Sequence, residues 1–453
     1  MKQSDNETMG FDRFEAKYPP QSWEKEIKRI IELTKAGNSS EIIGFPGVGR
    51  SNLLGLLAYN RATRELHLGK EQKNFHFVLM NFSEMRKKDE TEVLKFFFIS
   101  IIDSLKERSM DEEHQKVQSL LKESLEIPDK QVILQGLKKA VDYLSMEKNL
   151  TLVFLIDRFE EYIPYLTPEF FTNLRALRNR AKYRFSVVFS GNRSIVETLD
   201  PSIYVDYYEF LEGNTIYLPL KDDASLKFRI EFLQKNAGKS ISPEKLKEIL
   251  DLTSGHGKLT RLSIEAYLSE NNETMEQLSN LSSFFLSKSK IKTLFLEIWK
   301  SLTPSEQQYL ANSNQQLASS YLEDVHLLDN NKITIPLFEK YIQERKTELT
   351  EISGGKLALD PQTNEIKRGE VIISDSLTSS EFKLLKFLLQ NEGKILERDE
   401  IVNAVWGDLS STAGVTEQAL DQLIFRVRKK IENNPNNPTH IQTVKGRGFK
   451  FTP

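Results

Sequence analysis

The stretch GFPGVGRS, residues 44–51, decides the fold of the first half of this chain. It overlaps the end of a short strand-like segment at residues 41–44, which is predicted to be buried, and it precedes a helical pattern at residues 53–60. A glycine-rich turn between a strand and a helix can aim successive backbone N–H groups at a phosphate, with the positive end of the helix dipole behind them. The sequence therefore predicts a phosphate-binding turn, and a glycine turn that binds nothing is the alternative.

This turn departs from the phosphate-binding pattern G-x-x-x-x-G-K-[ST] at one fixed position. Arg50 stands where the pattern has lysine. Arginine keeps the positive charge but replaces a compact ammonium with a planar fork, so we expect nucleotide binding to survive better than catalysis. Ser51 is expected to ligate Mg²⁺. The predicted nucleotide-binding residues of the turn are Gly44, Gly47, Gly49, Arg50, Ser51 and Asn52.

Around the turn, helical and strand-like segments alternate, which indicates an α/β fold with a parallel sheet. Apolar strand-like runs lie at residues 75–80, 150–156, 185–190 and 215–218, and helical patterns lie at residues 91–105 and 131–144. The apolar run at residues 96–102 is too short to span a bilayer and is predicted to be a buried helix. Helical patterns fill residues 224–267 and a second block at residues 281–341, where a strand-like run at residues 332–335 predicts the small wing of a middle winged helix.

Four pieces of sequence, in order, resemble the AAA+ and STAND class of P-loop ATPases over residues 1–268. They are the glycine turn, the strand and loop LVFLIDRFEE at residues 152–161, the strand at residues 185–190 with the GNR that follows it, and GHGKLTR at residues 255–261. The resemblance implies an α/β P-loop core with a helical lid that binds ATP or ADP together with Mg²⁺.

The resemblance also implies which residues act on the phosphates. Asp157 ends its strand, where a carboxylate can hold the Mg²⁺ directly or through water. Arg158 stands where hydrolytic relatives usually have a glutamate that polarises the attacking water, so we expect weak or absent hydrolysis. Glu160 or Glu161 could replace that acid only if the loop bends, because residues beyond a strand end otherwise point elsewhere.

Two later motifs resemble the sensor positions of the same class. Asn192 or Ser190 is expected to face the γ-phosphate. His256 is expected near the base or phosphates, with a structural helix cap as the alternative, and Arg261 matches the sensor-2 position. A cationic run at residues 175–184 is either an arginine finger acting between subunits, a DNA-tracking surface or a solvated helix face, and we favour the solvated face.

The last segment, residues 355–453, resembles the OmpR/PhoB-type winged-helix effector domain over nearly its whole length. Its parts are a leading sheet at residues 356–373, helices beginning near residues 378, 398 and 417, and a glycine-rich wing at residues 441–451. Thr378 is expected to cap the first helix, and Glu381, three residues later, completes a capping box. Trp406 is expected in the core.

The third helix of this segment is the predicted DNA reader. Its apolar stripe is Leu420, Ile424, Val427 and Ile431. The other faces must look outward, where their side chains suit base edges and phosphates in the major groove, while the wing suits a minor groove. Residues 417–453 carry seven cations and three anions. The predicted DNA-binding residues are Gln418, Gln422, Arg426, Arg428, Lys429, Lys430, Lys445 and Arg447.

One departure from the family pattern leaves a second reading of that helix open. Leu423 and Phe425 occupy positions that are often polar in the family. Either could contact thymine methyl groups, pack on the wing or mark a protein interface. A winged helix used for protein docking is therefore the alternative to DNA binding.

Length and composition bound the remaining questions. A chain of 453 residues corresponds to roughly three or four domains. We expect a P-loop ATPase core at residues 1–218, a helical lid at 219–280, a middle winged-helix-like domain at 281–346, a linker at 347–355 and the DNA-binding domain at 356–453. The chain has no cysteine, which excludes disulfides and thiolate chemistry and fits the cytoplasm. Its net charge of −3 does not identify a partner.

Together these features predict a DNA-binding transcription regulator whose winged helix is controlled by the ATP or ADP state of the P-loop module. The expected partners are double-stranded DNA, RNA polymerase or another protein, and further copies of the chain in a nucleotide-dependent homo-oligomer, but no membrane. The alternatives are an origin-recognition-like DNA-loading ATPase and a STAND-type defence sensor.

Overall fold

The computed structural model describes residues 13–127, 129–271, 280–312, 320–344, 356–369, 371–374, 377–407, 417–432 and 438–452. The chain forms two compact units, which are described separately. The first comprises Met1–Ser194 and Ile203–Gly238, and the second comprises Ile195–Ser202 and Lys239–Pro453. The predicted linker at residues 347–355 lies outside the described residues.

A five-stranded parallel sheet forms the centre of the first unit, in the order β2-β3-β4-β1-β5. Its strands are β1 (Ser40–Ile43), β2 (Phe75–Asn81), β3 (Thr151–Asp157), β4 (Phe185–Gly191) and β5 (Thr215–Tyr217). Every residue of β1 and β4 is buried, as expected of parallel strands that are covered on both faces. The sheet confirms the predicted α/β fold and all of the predicted strand positions.

Ten helices lie along the described part of the chain up to residue 238. They are α1 (Glu24–Lys35), α2 (Arg50–Tyr59), α3 (Arg61–Leu68), α4 (Glu90–Glu107), α5 (Asp111–Leu125), α6 (Lys130–Asp142), α7 (Pro168–Ala181), α8 (Ile195–Thr198), α9 (Pro201–Tyr208) and α10 (Asp223–Ala237). The sequence did not predict α3 or α5, which bury only three residues each. The prediction of a buried helix at residues 96–102 is partly wrong, because helical rotation turns Ile99 outward and leaves it 46% exposed.

The order of the strands explains where the glycine turn lies. β1 lies between β4 and β5, and the chain leaves it for the sheet edge at β2 before returning through β3 and β4. The connections therefore diverge at the carboxyl end of β1. Ligands of open parallel sheets bind outside the carboxyl ends of the strands at such a switch point. Residues 44–49 occupy this position and lead directly into α2.

Helices and one hairpin make up the first part of the second unit. The helices are α11 (Pro243–Thr253), α12 (Gly257–Leu268), α13 (Leu281–Ser287), α14 (Ser289–Lys300), α15 (Pro304–Asn312), α16 (Ser320–Asp324) and α17 (Pro336–Glu344). β6 (Leu328–Asp329) and β7 (Lys332–Ile333) pair antiparallel around Asn330 and Asn331, both with a positive φ. The hairpin agrees with the predicted small wing, whereas the assignment of a separate middle domain stays a prediction.

The end of the chain forms the predicted winged helix. A three-stranded sheet, β8 (Leu357–Leu359), β9 (Ile366–Arg368) and β10 (Val371–Ile372), precedes α18 (Ser379–Gln390), β11 (Ile395–Leu396), α19 (Arg398–Trp406), α20 (Glu417–Ile431), β12 (Ile441–Val444) and β13 (Gly448–Phe451). One hydrophobic core joins these elements, and it includes Trp406 and the whole predicted stripe of α20.

Capping starts α18 as the sequence predicted. The Thr378 hydroxyl accepts a hydrogen bond from the Glu381 backbone N–H, and the Glu381 carboxylate accepts one from the Thr378 N–H at 2.9 Å. No helix in the described part of the chain is long and apolar enough to cross a membrane.

Candidate functional site

The glycine turn has the backbone conformation that a phosphate cradle needs. Gly47 and Gly49 have φ values of 93° and 115°, in the region that side chains disfavour. α2 begins at Arg50, and its N-cap residue, Gly49, has no side chain that could cap the first N–H groups. The first N–H groups of a helix have no partner within the helix and lie at its positive end, which favours a bound anion.

Trp23 packs directly on this turn, and the sequence analysis missed it. A Cβ added to Gly49 would lie 2.7 Å from Cζ2 of Trp23, so this position needs glycine for space as well as for its backbone angle. Trp23 is 3% exposed and has a φ of 48°. The only sequence signal for it is an aromatic residue immediately before the amphipathic pattern of α1.

Arg50 is held by two side chains that the sequence analysis placed in the same site. Its Nη2 donates to Oε1 of Glu160 at 2.8 Å and to Oδ1 of Asn192 at 2.8 Å. Nη1 of Arg50 and Oε2 of Glu160 are buried without a hydrogen-bond partner among the described residues. Both partners of this ion pair therefore keep bonding capacity that a ligand could use.

A bend after β3 brings Glu160 to Arg50. Arg158 adopts a left-handed conformation with a φ of 56°, and residues Phe159–Glu161 then form a single 3-10 turn. Because of this bend, Glu160 points back to the glycine turn. The side chain of Arg158 instead turns outward, 54% exposed, toward Glu161. The loop thus bends as a role for Glu160 requires, although the carboxylate of Glu160 is paired with the Arg50 guanidinium.

Asp157 is buried at the end of β3, where it was predicted. Its Oδ1 accepts hydrogen bonds from the Arg158 N–H at 3.0 Å and from the Ser190 hydroxyl at 3.2 Å. Ser190 therefore orients Asp157, and Asn192 contacts Arg50, whereas the sensor role expected of Ser190 or Asn192 stays a prediction. Ser51 and Asp157 line one cavity of about 520 Å³.

These residues fit a nucleotide phosphate with Mg²⁺. The described residues contain no cluster of three or more His, Cys, Asp or Glu side chains that could hold a metal alone. Mg²⁺ characteristically takes one or two protein ligands and completes its shell with phosphate oxygens and water. Ser51 contributes a hydroxyl and Asp157 a carboxylate to the lining of one cavity, and these two donors match that set.

His256 and Arg261 lie in the second unit, where each has a local contact. His256 is buried at the N-cap of α12, and its Nδ1 accepts a hydrogen bond from the Leu259 N–H at 3.1 Å. Arg261 pairs with Glu265 one helical turn later, at 2.9 Å. A capping role accounts for His256, and the nucleotide roles of both residues stay predictions.

Arginines of the cationic run at residues 175–184 form ion pairs and hydrogen bonds within the first unit. Arg175 pairs with Asp206, and Arg180 pairs with Asp142. Arg178 donates to the Gly37 carbonyl at 3.2 Å. These contacts favour a structural role over an arginine finger.

The predicted DNA-reading residues of α20 differ in how far they are exposed. Gln422 is exposed, and Lys429 lies beside the half-exposed ring of Phe425 with its Nζ 5.3 Å from the ring centroid. Arg428 braces the wing, donating to the Ile441 carbonyl at 2.9 Å and the Thr443 hydroxyl at 2.8 Å. Burial lowers the pKa of Arg428. The side chain of Gln418 lies outside the described part of the helix.

Two other cations of α20 are engaged by carboxylates. Arg426 is 7% exposed, with Nη2 2.7 Å from Oδ2 of Asp200. Lys430 lies 2.6 Å from Oε2 of Glu381. Leu423 is fully buried in the domain core, so it is not available to thymine methyl groups.

The wing presents the remaining predicted cations to solvent. Lys445 and Arg447 are exposed on the turn between β12 and β13, on either side of Gly446 with its φ of 72°. The hairpin can therefore project both charges away from the domain core, as a minor-groove contact requires.

Comparison with known sequences identifies the C-terminal segment. Residues 375–451 match the family model described as "Transcriptional regulatory protein, C terminal". Sensory transduction protein RegX3 of Mycobacterium leprae is 38% identical over 105 residues, which are 22% of this chain and 52% of that protein. Protein PetR of Rhodobacter capsulatus is 32% identical over 102 residues, 21% of this chain and 43% of that protein. The chain spans about half the length of the curated relatives it matches.

Solved structures with similarity to the chain include two kinds of protein. The RstA DNA-binding domain of Klebsiella pneumoniae, in complex with the RstA box, is 28% identical over 22% of this chain and 95% of its own, with a TM-score of 0.19. The Walker-type ATPase PABY2304 of Pyrococcus abyssi is 15% identical over 74% of this chain and 99% of its own, with a TM-score of 0.44. The family match confirms the resemblance of the last segment to transcription regulators that bind DNA.

Proposed function

We propose that this chain is a transcription regulator whose C-terminal winged helix binds DNA under the control of ATP or ADP bound at the glycine turn. The observation that carries the proposal is the arrangement at the carboxyl end of β1. There, the first N–H groups of α2 follow the glycine turn, and the Arg50 guanidinium contacts Asn192 and Glu160. A chain that carries both this arrangement and a DNA-binding segment can bind a nucleotide as its signal and bind DNA as its response.

In the proposed nucleotide site, the N–H groups from Gly47 to Ser51 and the Arg50 guanidinium hold the phosphates. The Ser51 hydroxyl and the Asp157 carboxylate hold Mg²⁺, which supplies charge neutralisation when bound. Ser190 keeps Asp157 oriented through its hydrogen bond. The site fits binding better than hydrolysis, because Glu160 is bound to Arg50 and Arg158 offers no carboxylate. We therefore propose slow turnover.

In the proposed DNA complex, the exposed side chain of Gln422 reads base edges, and exposed cations of the wing contact the backbone and a minor groove. We propose the domain boundaries expected from the sequence, with the DNA-binding domain at residues 356–453 and the P-loop core at 1–218. RNA polymerase and further copies of this chain are the proposed protein partners, in the cytoplasm.

Thermal denaturation of the full chain with ATP or ADP and Mg²⁺ tests the input. Binding at about 100 times Kd stabilises a protein by roughly 2.7 kcal/mol, so the melting temperature should rise in the wild type. The same rise is expected in the control Arg61→Ala, which removes an exposed arginine from the next helix. No rise is expected in Arg50→Ala. A wild-type melting temperature that neither nucleotide raises would contradict the proposed site.

Selection from a random duplex library tests the output. We expect the full chain to enrich a short sequence motif. Enrichment of no motif, together with no retention of any duplex, would favour protein docking as the role of the winged helix.

A further inference from the structure

Arg426, in the middle of the DNA-reading helix α20, is buried where an outward-facing cation was expected. Its Nη2 lies 2.7 Å from Oδ2 of Asp200, and the two side chains are 8% and 3% exposed. Both residues belong to the second unit, although 226 positions separate them in sequence. A buried, charge-assisted hydrogen bond of this kind keeps the guanidinium away from solvent.

Asp200 is fixed in place by its own segment. Its Oδ1 accepts hydrogen bonds from the Ser202 N–H at 2.9 Å and the Ser202 hydroxyl at 2.7 Å, at the start of α9. One carboxylate oxygen therefore holds the segment, and the other oxygen is directed at Arg426. This division makes Asp200 a positioned anion rather than a mobile surface charge.

Glu381 completes a neutral group of two anions and two cations, but it bonds only one cation fully. Its Oε2 lies 2.6 Å from Nζ of Lys430, whereas its Oε1 lies 3.6 Å from Nε of Arg426. Oε1 of Glu381 and Nε of Arg426 have no hydrogen-bond partner among the described residues. α15 also packs against α20. The shortest contact of Arg426 with a carboxylate is thus the one to Asp200.

We propose that Asp200 is an autoinhibitory anion that holds Arg426 in the DNA-free chain and must release it before α20 can bind DNA. The carboxylate of Asp200 and a DNA phosphate offer the same ligand, an anionic oxygen, to one guanidinium, so they exclude each other. This inference rests on the proposed DNA binding for its consequence but not for the contact itself.

Chain connectivity supplies the input to this contact. Asp200 follows Asn192 by eight residues, and Asn192 accepts a hydrogen bond from Arg50 at the glycine turn. A phosphate that displaces Asn192 from Arg50 would act at the start of the chain segment that leads to Asp200. The same segment thus carries a residue of the nucleotide site and the residue that holds Arg426.

The test uses the full chain with Asp200→Asn, which keeps an oxygen for Ser202 and removes the negative charge facing Arg426. Asp200→Ser is a second variant that also keeps a capping oxygen. Asp206→Asn is the matched control, because Asp206 lies close to Asp200 in sequence but pairs with the exposed Arg175 instead of Arg426. The first measurement is binding at low salt to a labelled random-sequence duplex of about three helical turns. The second is hydrogen exchange of the backbone at residues 417–432 without DNA.

If the contact between Asp200 and Arg426 is closed in about nine-tenths of the molecules, it weakens the apparent affinity for DNA by about tenfold. Both Asp200 variants should therefore bind the duplex about tenfold more tightly than the wild type and Asp206→Asn, and exchange at residues 417–432 should become faster. Faster exchange with no DNA binding by any variant would uphold the contact and overturn the proposed function. Unchanged exchange and unchanged affinity in both Asp200 variants would overturn the autoinhibitory contact.

Discussion

Glu160→Gln should tighten nucleotide binding, because the carboxylate of Glu160 competes with phosphate for Arg50. The Arg50 Nη2 and Glu160 Oε1 atoms are 2.8 Å apart, and the two side chains are 12% and 26% exposed. Glutamine keeps an oxygen that can accept the same hydrogen bond, so the site geometry should persist while the negative charge disappears.

The size of this effect follows from the partial burial of the pair. Two unit charges about 4 Å apart interact by roughly 4 kcal/mol at an effective dielectric constant of about 20. Most of that energy is offset by the cost of removing both groups from water. In Glu160→Gln the nucleotide no longer competes with a carboxylate, so its binding free energy should improve by about 1–2 kcal/mol. That gain corresponds to roughly 5- to 30-fold tighter binding.

Isothermal titration calorimetry with ADP and Mg²⁺ measures this difference. Glu161→Gln is the matched control, since Glu161 adjoins Glu160 but pairs with Arg158 instead of Arg50. Equal or weaker nucleotide binding by Glu160→Gln would refute the competition. Loss of all residual ATP turnover at unchanged affinity would show instead that Glu160 polarises the attacking water.

Four further predictions concern DNA reading and stability. Gln422→Ala should relax base preference at one position by about 1–3 kcal/mol if its contact is bidentate. Arg447→Ala should weaken binding to selected and scrambled duplexes alike and flatten the salt dependence. Binding series at several salt concentrations measure both effects. Thr378→Ala should cost about 1 kcal/mol in urea denaturation, because it removes the cap of α18. Burial and the neighbouring Glu169 raise the pKa of Glu90 to about 7, so its ionisation opposes folding at higher pH; the melting temperature of the wild type should fall relative to that of Glu90→Gln between about pH 5 and about pH 8.

The sequence was sufficient for those features that depend on local pattern. Runs of apolar residues identified every strand of the parallel sheet, because strands covered on both faces have no polar alternation. The capping box at Thr378 and the buried stripe of α20 were also predictable, since both depend on fixed spacing within one helix. The glycine turn could be placed between β1 and α2 for the same reason.

The features that the sequence could not give depend on tertiary contact or on unusual backbone angles. Arg158 takes a left-handed conformation that non-glycine residues rarely adopt, and only this bend brings Glu160 to Arg50. No periodicity relates Asp200 to Arg426, so a residue predicted to face DNA proved to be buried against a distant carboxylate. Trp23 was missed because its contact with the turn at Gly49 depends on the tertiary fold and leaves no spacing pattern in the sequence.

The affinity of the full chain for its selected DNA sequence, measured with a non-hydrolysable ATP analogue, with ADP and without nucleotide, tests the central claim most directly. Allosteric coupling is typically about 1–3 kcal/mol, so we expect the affinities in the two nucleotide states to differ by at least about fivefold, and DNA to change the affinity for the nucleotides by the same factor. The difference should vanish in Arg50→Ala. Identical DNA affinities in all three states, with nucleotide binding verified by calorimetry in the same samples, would contradict nucleotide control of this DNA-binding chain.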